Sequence, residues 1–139
     1  MKQVIIVRGI PGSGKSTLVK ENYADAVVCS ADNYFEEVAA LNDTDYLTEF
    51  KPWLVGRAHQ HCWNSFIHAL CVMEEETIVV DNTNIHEWEY ENYSFLAEIN
   101  GYNVEVISIP ATETAETYHE RNTHGVPLEV IQRMMNEYV

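Results

Sequence analysis

A parallel α/β fold is predicted by three observations. Residues 4–7, VIIV, form a short, mostly β-branched apolar run with the length and composition of a buried parallel strand. The segment GIPGSGKST, residues 9–17, follows directly and fits the pattern G-x-x-x-x-G-K-[ST]. Further apolar runs alternate with helical patterns along the rest of the chain. The sequence therefore predicts a P-loop nucleotide-binding fold, in which a strand, a glycine-rich loop and a helix follow one another.

The residue types in this loop suit a bound triphosphate. Glycines allow positive φ, so that backbone N–H groups can turn around an anion. The helix that begins near Lys15 adds its positive end. Lys15 would reach the β- and γ-phosphates, and the Ser16 hydroxyl would bind Mg²⁺. The predicted ATP-binding residues of the loop are Gly12, Ser13, Gly14, Lys15, Ser16 and Thr17.

Length and composition predict one globular domain over residues 1–139. No apolar run approaches the roughly 20 residues of a membrane helix. The first residues run directly into the first strand, so we expect no signal peptide. The three cysteines have no C-x-x-C spacing, which favours reduced thiols in a cytoplasmic protein.

The charge balance restricts the possible partners. The chain has 22 acidic residues against eight Lys and Arg, and its formal net charge is −14. Proteins that hold long nucleic acids usually carry a basic stripe. We therefore expect no binding of long duplexes, and any nucleic-acid contact should be confined to an end.

The next part of the chain predicts a second strand over residues 26–30 and a helix from about 32 to 41. Asp32 would lie at the carboxyl end of that strand, where parallel sheets place ligand chemistry. A helix N-cap is an equally good interpretation of an Asp at this junction. After a loop at 42–45, a long helix with Pro52 in its first turn is expected to reach residue 71.

A third strand over residues 77–80 ends at Asp81, whose carboxylate would order a Mg²⁺-bound water or contact the acceptor. Asn84 and Glu87 have the spacing of a capping box, which we favour for Asn84, at the start of a helix over residues 86–99. The apolar and aromatic residues of this helix are expected to pack in the core.

The last third of the chain predicts a strand over residues 102–109, a helix over 112–123 that stops at Gly125, and a closing helix from Pro127. Arg121 is one of only eight basic residues and lies in a polar turn. It is either a phosphate contact or an exposed solvating side chain.

Several segments occur in the order found in one family. They are GIPGSGKST at residues 9–17, SAD at 30–32, VDNTN at 80–84 and RNTHGV at 121–126, followed by a helix with methionines. Together they resemble the kinase domain of the 5′-hydroxyl polynucleotide kinase family. This family includes the phage enzymes and, more closely similar, small ATP-binding kinase modules of animals.

The resemblance implies an adenylate-kinase-like parallel sheet with helices on both faces and a short lid that carries an arginine. It also implies ATP and Mg²⁺ as cofactors. By this resemblance Lys15 and Ser16 hold ATP–Mg²⁺, Asp32 is the general base and Arg121 is a lid arginine of the nucleotide site. Asp81 would lie near the acceptor, and Asn84 of the same segment is a further candidate contact.

Two departures from the phage pattern concern the acceptor. Asn33 and Phe35 stand where those enzymes carry a second Asp and a phosphate-binding arginine, and His124 replaces a second lid arginine. We therefore expect a kinase for the 5′-hydroxyl end of DNA or RNA. The alternatives are a kinase for a small hydroxyl compound, such as a nucleoside, nucleotide or antibiotic, and a non-catalytic ATP-binding module.

Overall fold

The computed structural model describes residues 1–138 and contains one four-stranded sheet. Its strands are β1 (Gln3–Arg8), β2 (Val27–Cys29), β3 (Thr77–Asp81) and β4 (Asn103–Ser108). They lie in the order β2-β3-β1-β4, and every neighbouring pair is parallel. The predicted parallel α/β fold is confirmed. Because all strands run the same way, the segments that follow β1, β2 and β3 emerge at one edge of the sheet.

Helices cover both faces of this sheet. Val4 and Ile6 of β1 belong to one buried cluster with residues of the helices on that side, such as Phe66 and Ala97. The alternate residues Ile5 and Val7 pack in a second cluster on the opposite face, which includes Val19 of the first helix. The helices are α1 (Lys15–Asn22), α2 (Asp32–Asn42), α3 (Tyr46–Glu49), α4 (Val55–Ile67), α5 (Glu91–Ile99), α6 (Ala115–Arg121) and α7 (Leu128–Glu137).

The long helix predicted up to residue 71 is divided into several elements. A separate short helix, α3, precedes it and is capped by Asp45, whose side chain accepts a hydrogen bond from the Thr48 N–H at 2.8 Å. Pro52 then begins a 3₁₀ turn (Pro52–Leu54), because the residue before a proline is kept extended. After α4 the chain widens into a π-helical turn, His68–Val72.

The predicted core role of the helix over residues 86–99 is only partly correct. That segment forms a 3₁₀ turn (Glu87–Glu89) and then α5, and Tyr93 of α5 is buried. Trp88, Phe95 and Ile99 are exposed, because α5 lies beside the edge strand β4 and no element within residues 1–138 covers its outer side.

The helix predicted over residues 112–123 is shorter than expected, and Gly125 does not end it. α6 ends at Arg121, and the Asn122 side-chain oxygen then accepts hydrogen bonds from the N–H groups of His124 and Val126. These bonds shape the loop between α6 and α7. None of the helices in the described part of the chain has the length and apolar character needed to cross a membrane.

Candidate active site

The glycine-rich loop has the backbone of an anion-binding loop. Gly12 and Gly14 have φ of 83° and 95°, in the region that favours glycine. α1 begins at Lys15, and no side chain within residues 1–138 caps its N-terminus. Since the first N–H groups of a helix lack intrahelical acceptors, they are available to a phosphate.

The loop lies tightly against its surroundings. A Cβ atom added to Gly12 would overlap the carbonyl oxygen of Tyr118 in α6, and one added to Gly9 would lie 2.6 Å from Ser13 Oγ. The Ser13 hydroxyl is buried and has no hydrogen-bond partner among residues 1–138. A buried hydroxyl without a partner fits a ligand oxygen, so the loop suits a triphosphate.

Lys15 extends back over the loop. Its Nζ donates hydrogen bonds to the carbonyl oxygens of Gly9 at 3.1 Å and Ile10 at 3.3 Å. Burial lowers the pKa of Lys15, while the negative charges of Asp81 and Asp32 act in the opposite direction. The ammonium group therefore has only neutral hydrogen-bond partners, and an anionic phosphate would stabilise its charged form.

Asp81 ends β3 at the same edge of the sheet. Burial raises the pKa of its carboxyl group, and the charge of Asp32 adds to this effect. Lys15 and, more weakly, His124 lower the pKa. Two carboxylates and a lysine therefore lie within electrostatic range of one another, an arrangement that could hold a divalent cation with a triphosphate.

Asp32 is the first residue of α2, and its side chain does not cap that helix, whose N-cap is Ala31. The carboxylate is instead held by two side chains. The Tyr46 hydroxyl donates to Asp32 Oδ1 at 2.6 Å, and His124 Nδ1 lies 3.3 Å from Oδ2. The capping interpretation is wrong, because both oxygens point away from the helix N-terminus toward these partners.

The turn that positions Asp32 is fixed by polar contacts from two strand ends. Asn82, which follows β3, accepts a hydrogen bond from the Ala31 N–H at 2.9 Å. Ser30 Oγ accepts one from the Asp32 N–H at 3.2 Å. Asn82 thus connects the segment after β3 to the turn after β2, a role that the sequence analysis missed.

Asn84 has a structural role that sequence reasoning did not identify. It is 2% exposed, and its side-chain nitrogen donates to the Val7 carbonyl at 2.9 Å. Its own carbonyl accepts a hydrogen bond from the buried Arg8. The predicted capping box with Glu87 is wrong, because the box is formed by His86 and Glu89. Asn84 braces β1 against the segment after β3, so we leave it out of the acceptor site proposed below.

The remaining predicted residues lie around the loop. Ser16 and Thr17 are exposed in the first turn of α1, and Arg121 is exposed at the end of α6. Phe35 is buried beside Tyr46, and Asn33 donates to the Val28 carbonyl. These two positions therefore serve the fold of α2.

Comparisons with known proteins agree with this architecture. A sequence profile of a family described as an AAA domain matches residues 4–139. The chain belongs to this AAA-domain family. It is 32% identical over 142 residues to NEDD4-binding protein 2 of Homo sapiens, an alignment that covers 97% of this chain but 8% of that protein. The chain therefore spans less than a tenth of the length of this curated relative.

The solved structures include a neighbour with the same fold. A gluconokinase from Sinorhizobium meliloti superposes with a TM-score of 0.53 and 17% sequence identity, over 99% of this chain and 75% of the gluconokinase. At this identity the likeness establishes the fold alone. With the family match, it identifies the chain as a P-loop kinase-like domain.

Proposed function

We propose that this AAA-family domain is an ATP-dependent phosphotransferase that transfers the γ-phosphate of ATP–Mg²⁺ to a hydroxyl group. The observation that carries the proposal is the placement of Asp32. Its carboxylate lies at the sheet edge that holds Lys15 and Asp81, and it is oriented by Tyr46 and His124. A module that only binds ATP has no need of an oriented carboxylate beside the phosphate-binding loop.

On the nucleotide side, residues 12–17 would surround the triphosphate with backbone N–H groups and the Ser13 hydroxyl. Lys15 would neutralise the β- and γ-phosphates, and Ser16 and Asp81 would hold Mg²⁺, directly or through water. Bound Mg²⁺ supplies charge neutralisation on the phosphate oxygens. Arg121 would add a positive charge from the loop side of α6 as the phosphoryl group moves.

On the acceptor side, Asp32 would act as the general base. The acceptor hydroxyl gives its proton to the carboxylate, and its oxygen forms a bond to the γ-phosphorus. The bond to the bridging oxygen breaks, and ADP leaves with that electron pair. A positioned base of this kind contributes typically ~10²–10⁴ in rate. Asp81 would contact the acceptor if it does not hold the metal.

For the acceptor we propose the 5′-hydroxyl end of DNA or RNA. The VDNTN and RNTHGV segments support this choice through their resemblance to polynucleotide kinases. The net charge of −14 opposes any extended contact with a polyanion, so recognition would involve the terminal nucleotides only.

A kinase for a small hydroxyl compound is the second candidate, and one observation favours it. Phe35 is 2% exposed in the core, at the position where the phage enzymes carry an arginine for the acceptor phosphate. A site without that cation suits an acceptor that has no phosphate of its own.

The test is transfer of labelled γ-phosphate from ATP–Mg²⁺ to 5′-hydroxyl DNA and RNA oligonucleotides, with nucleosides in parallel. Lys15→Ala should abolish labelling, and Lys20→Ala, an exposed lysine on the same helix, should not. Labelled oligonucleotide supports the first candidate, and label on nucleosides alone supports the second. If neither acceptor is labelled and ATP is bound without turnover, the proposal of a kinase is wrong.

A further inference from the structure

We propose that Tyr46 is a positioning residue for Asp32. It holds Oδ1 of the carboxylate and thereby leaves Oδ2 as the oxygen that receives the proton of the acceptor. This inference rests on the proposed function, since it assigns to Tyr46 an effect on the proposed base.

The contact itself is short and directional. The Tyr46 hydroxyl donates to Asp32 Oδ1 at 2.6 Å, and Tyr46 is 9% exposed. Burial, followed by the hydrogen bond with Asp32, raises the pKa of the Tyr46 hydroxyl. The phenol therefore keeps its proton and serves as a donor. A charge-assisted bond of this length restricts the rotation of the carboxylate.

The position of the Tyr46 hydroxyl is set by packing around its ring. The ring meets Phe35 edge-on with centroids 5.5 Å apart, and it stacks on Phe50 at 5.9 Å. The short helix that carries Tyr46 is fixed at both ends: Asp45 caps its start, and Glu49 accepts a hydrogen bond from Thr44 at 2.8 Å. A donor held in this way can orient a carboxylate that lies on another helix.

The second oxygen faces the nucleotide side of the site. Oδ2 lies 3.3 Å from His124, which belongs to the loop after α6, and α6 touches the phosphate-binding loop where Tyr118 meets Gly12. His124 Nε2 also lies 3.8 Å from Glu36, and its ring stacks on Tyr46 with centroids 4.2 Å apart. Oδ2 is thus the oxygen on the side of the transferable phosphate. An acceptor hydroxyl would approach it by displacing the imidazole of His124.

The decisive variant is Tyr46→Phe, which keeps the ring and removes only the hydroxyl. We expect kcat to fall about 10- to 100-fold, the change that corresponds to a lost hydrogen bond to a charged group, with KM for ATP unchanged. Tyr34→Phe is the matched control, because Tyr34 belongs to the same aromatic cluster and no hydrogen bond of its hydroxyl occurs within residues 1–138. It should leave kcat unchanged. The reaction is labelled phosphate transfer to the 5′-hydroxyl oligonucleotides and nucleosides, with ATP hydrolysis measured alongside.

A double-mutant cycle separates positioning from general support of the fold. In an Asp32→Asn background the Tyr46→Phe change should have almost no further effect on kcat, because the base through which Tyr46 acts has been removed. A purely structural contribution would lower kcat by the same factor in both backgrounds. That result would overturn the inference about Tyr46.

Crystal structures of wild type and Tyr46→Phe decide the inference independently of activity. We expect the Asp32 side chain to rotate in the variant, so that its oxygens leave their wild-type positions. An unchanged Asp32 rotamer would overturn the inference. The failure of the proposed function looks different: Asp32→Asn itself would then leave both transfer and hydrolysis at the wild-type rate.

Discussion

His124 Nδ1 lies 3.3 Å from Asp32 Oδ2, so the loop between α6 and α7 touches the first residue of α2. This contact brings the candidate lid onto the carboxylate that would take the acceptor proton. In the arrangement described here, the imidazole occupies the place beside Oδ2 that an acceptor hydroxyl would need. The contact therefore competes with acceptor binding.

His124→Ala should lower KM for the acceptor about 2- to 5-fold with little change in kcat. The factor corresponds to a partly exposed ion pair worth about 0.2–1 kcal/mol, which the acceptor no longer has to displace. Initial rates at varied oligonucleotide or nucleoside concentration measure it, with His119→Ala, an exposed histidine of α6, as the control. A fall in kcat at constant KM would show that His124 takes part in transfer instead.

Asp32→Asn should lower kcat by about 10²–10⁴ and leave the affinity for ATP unchanged, because the base acts on the acceptor and makes no contact with the loop. Binding of a fluorescent ATP analogue and single-turnover transfer measure the two quantities separately. Equal losses in affinity and turnover would mean that Asp32 shapes the nucleotide site.

Arg121→Ala should lower kcat about 100-fold without changing the melting temperature. The residue is exposed at the end of α6, so its removal costs little stability, while a positive charge beside the transferred phosphate stabilises the transition state. Arg133→Ala, an exposed arginine of α7, is the matched control. If both variants retain full activity, Arg121 is a solvating side chain and the second interpretation of the sequence is correct.

The sequence predicts the parts of the site that depend on local pattern. β1, the glycine-rich loop and the start of α1 follow from an apolar run and a fixed spacing, and the strands that end near Asp32 and Asp81 follow from short β-branched runs. These features are set within about ten residues. The backbone there has few alternatives.

The contacts that orient Asp32 could not be predicted in the same way. Tyr46 lies on a four-residue helix and is 14 positions away from Asp32, and His124 arrives from the far end of the chain. Asn84 was assigned wrongly because its cap-like spacing is local, whereas its positive φ and its bond to Val7 arise from packing between strands. Tertiary contacts decide these roles.

Gly12→Ala should destabilise the domain more than Gly14→Ala. Both residues have positive φ, which costs a non-glycine residue about 1–2 kcal/mol. A Cβ at position 12 would also overlap the Tyr118 carbonyl oxygen, whereas one at position 14 meets no atom of the described chain within 4 Å. Urea unfolding should show a loss of about 1 kcal/mol for Gly14→Ala and about 3 kcal/mol or more for Gly12→Ala. Equal losses would mean that α6 moves away from the loop at little cost.

Asp81→Asn should stabilise the domain in the absence of nucleotide at neutral pH. Burial raises the pKa of Asp81, so the folded protein binds a proton there more readily than the unfolded chain does. The ionised carboxylate therefore lowers the free energy of unfolding at pH 7. This cost disappears as the pH falls through the raised pKa toward 3.8, the ordinary value for Asp.

Melting temperatures measured from pH 7 down to about pH 4 test this sign. The variant should melt a few degrees above wild type at pH 7, and the difference should shrink on acidification. Asp25→Asn, an exposed position, should show no comparable gain. A lower melting temperature for Asp81→Asn at pH 7 would mean that the attraction between Asp81 and Lys15 outweighs the cost of burial. The unliganded site would then be stabilised by its charges, because each offsets the other before any nucleotide binds.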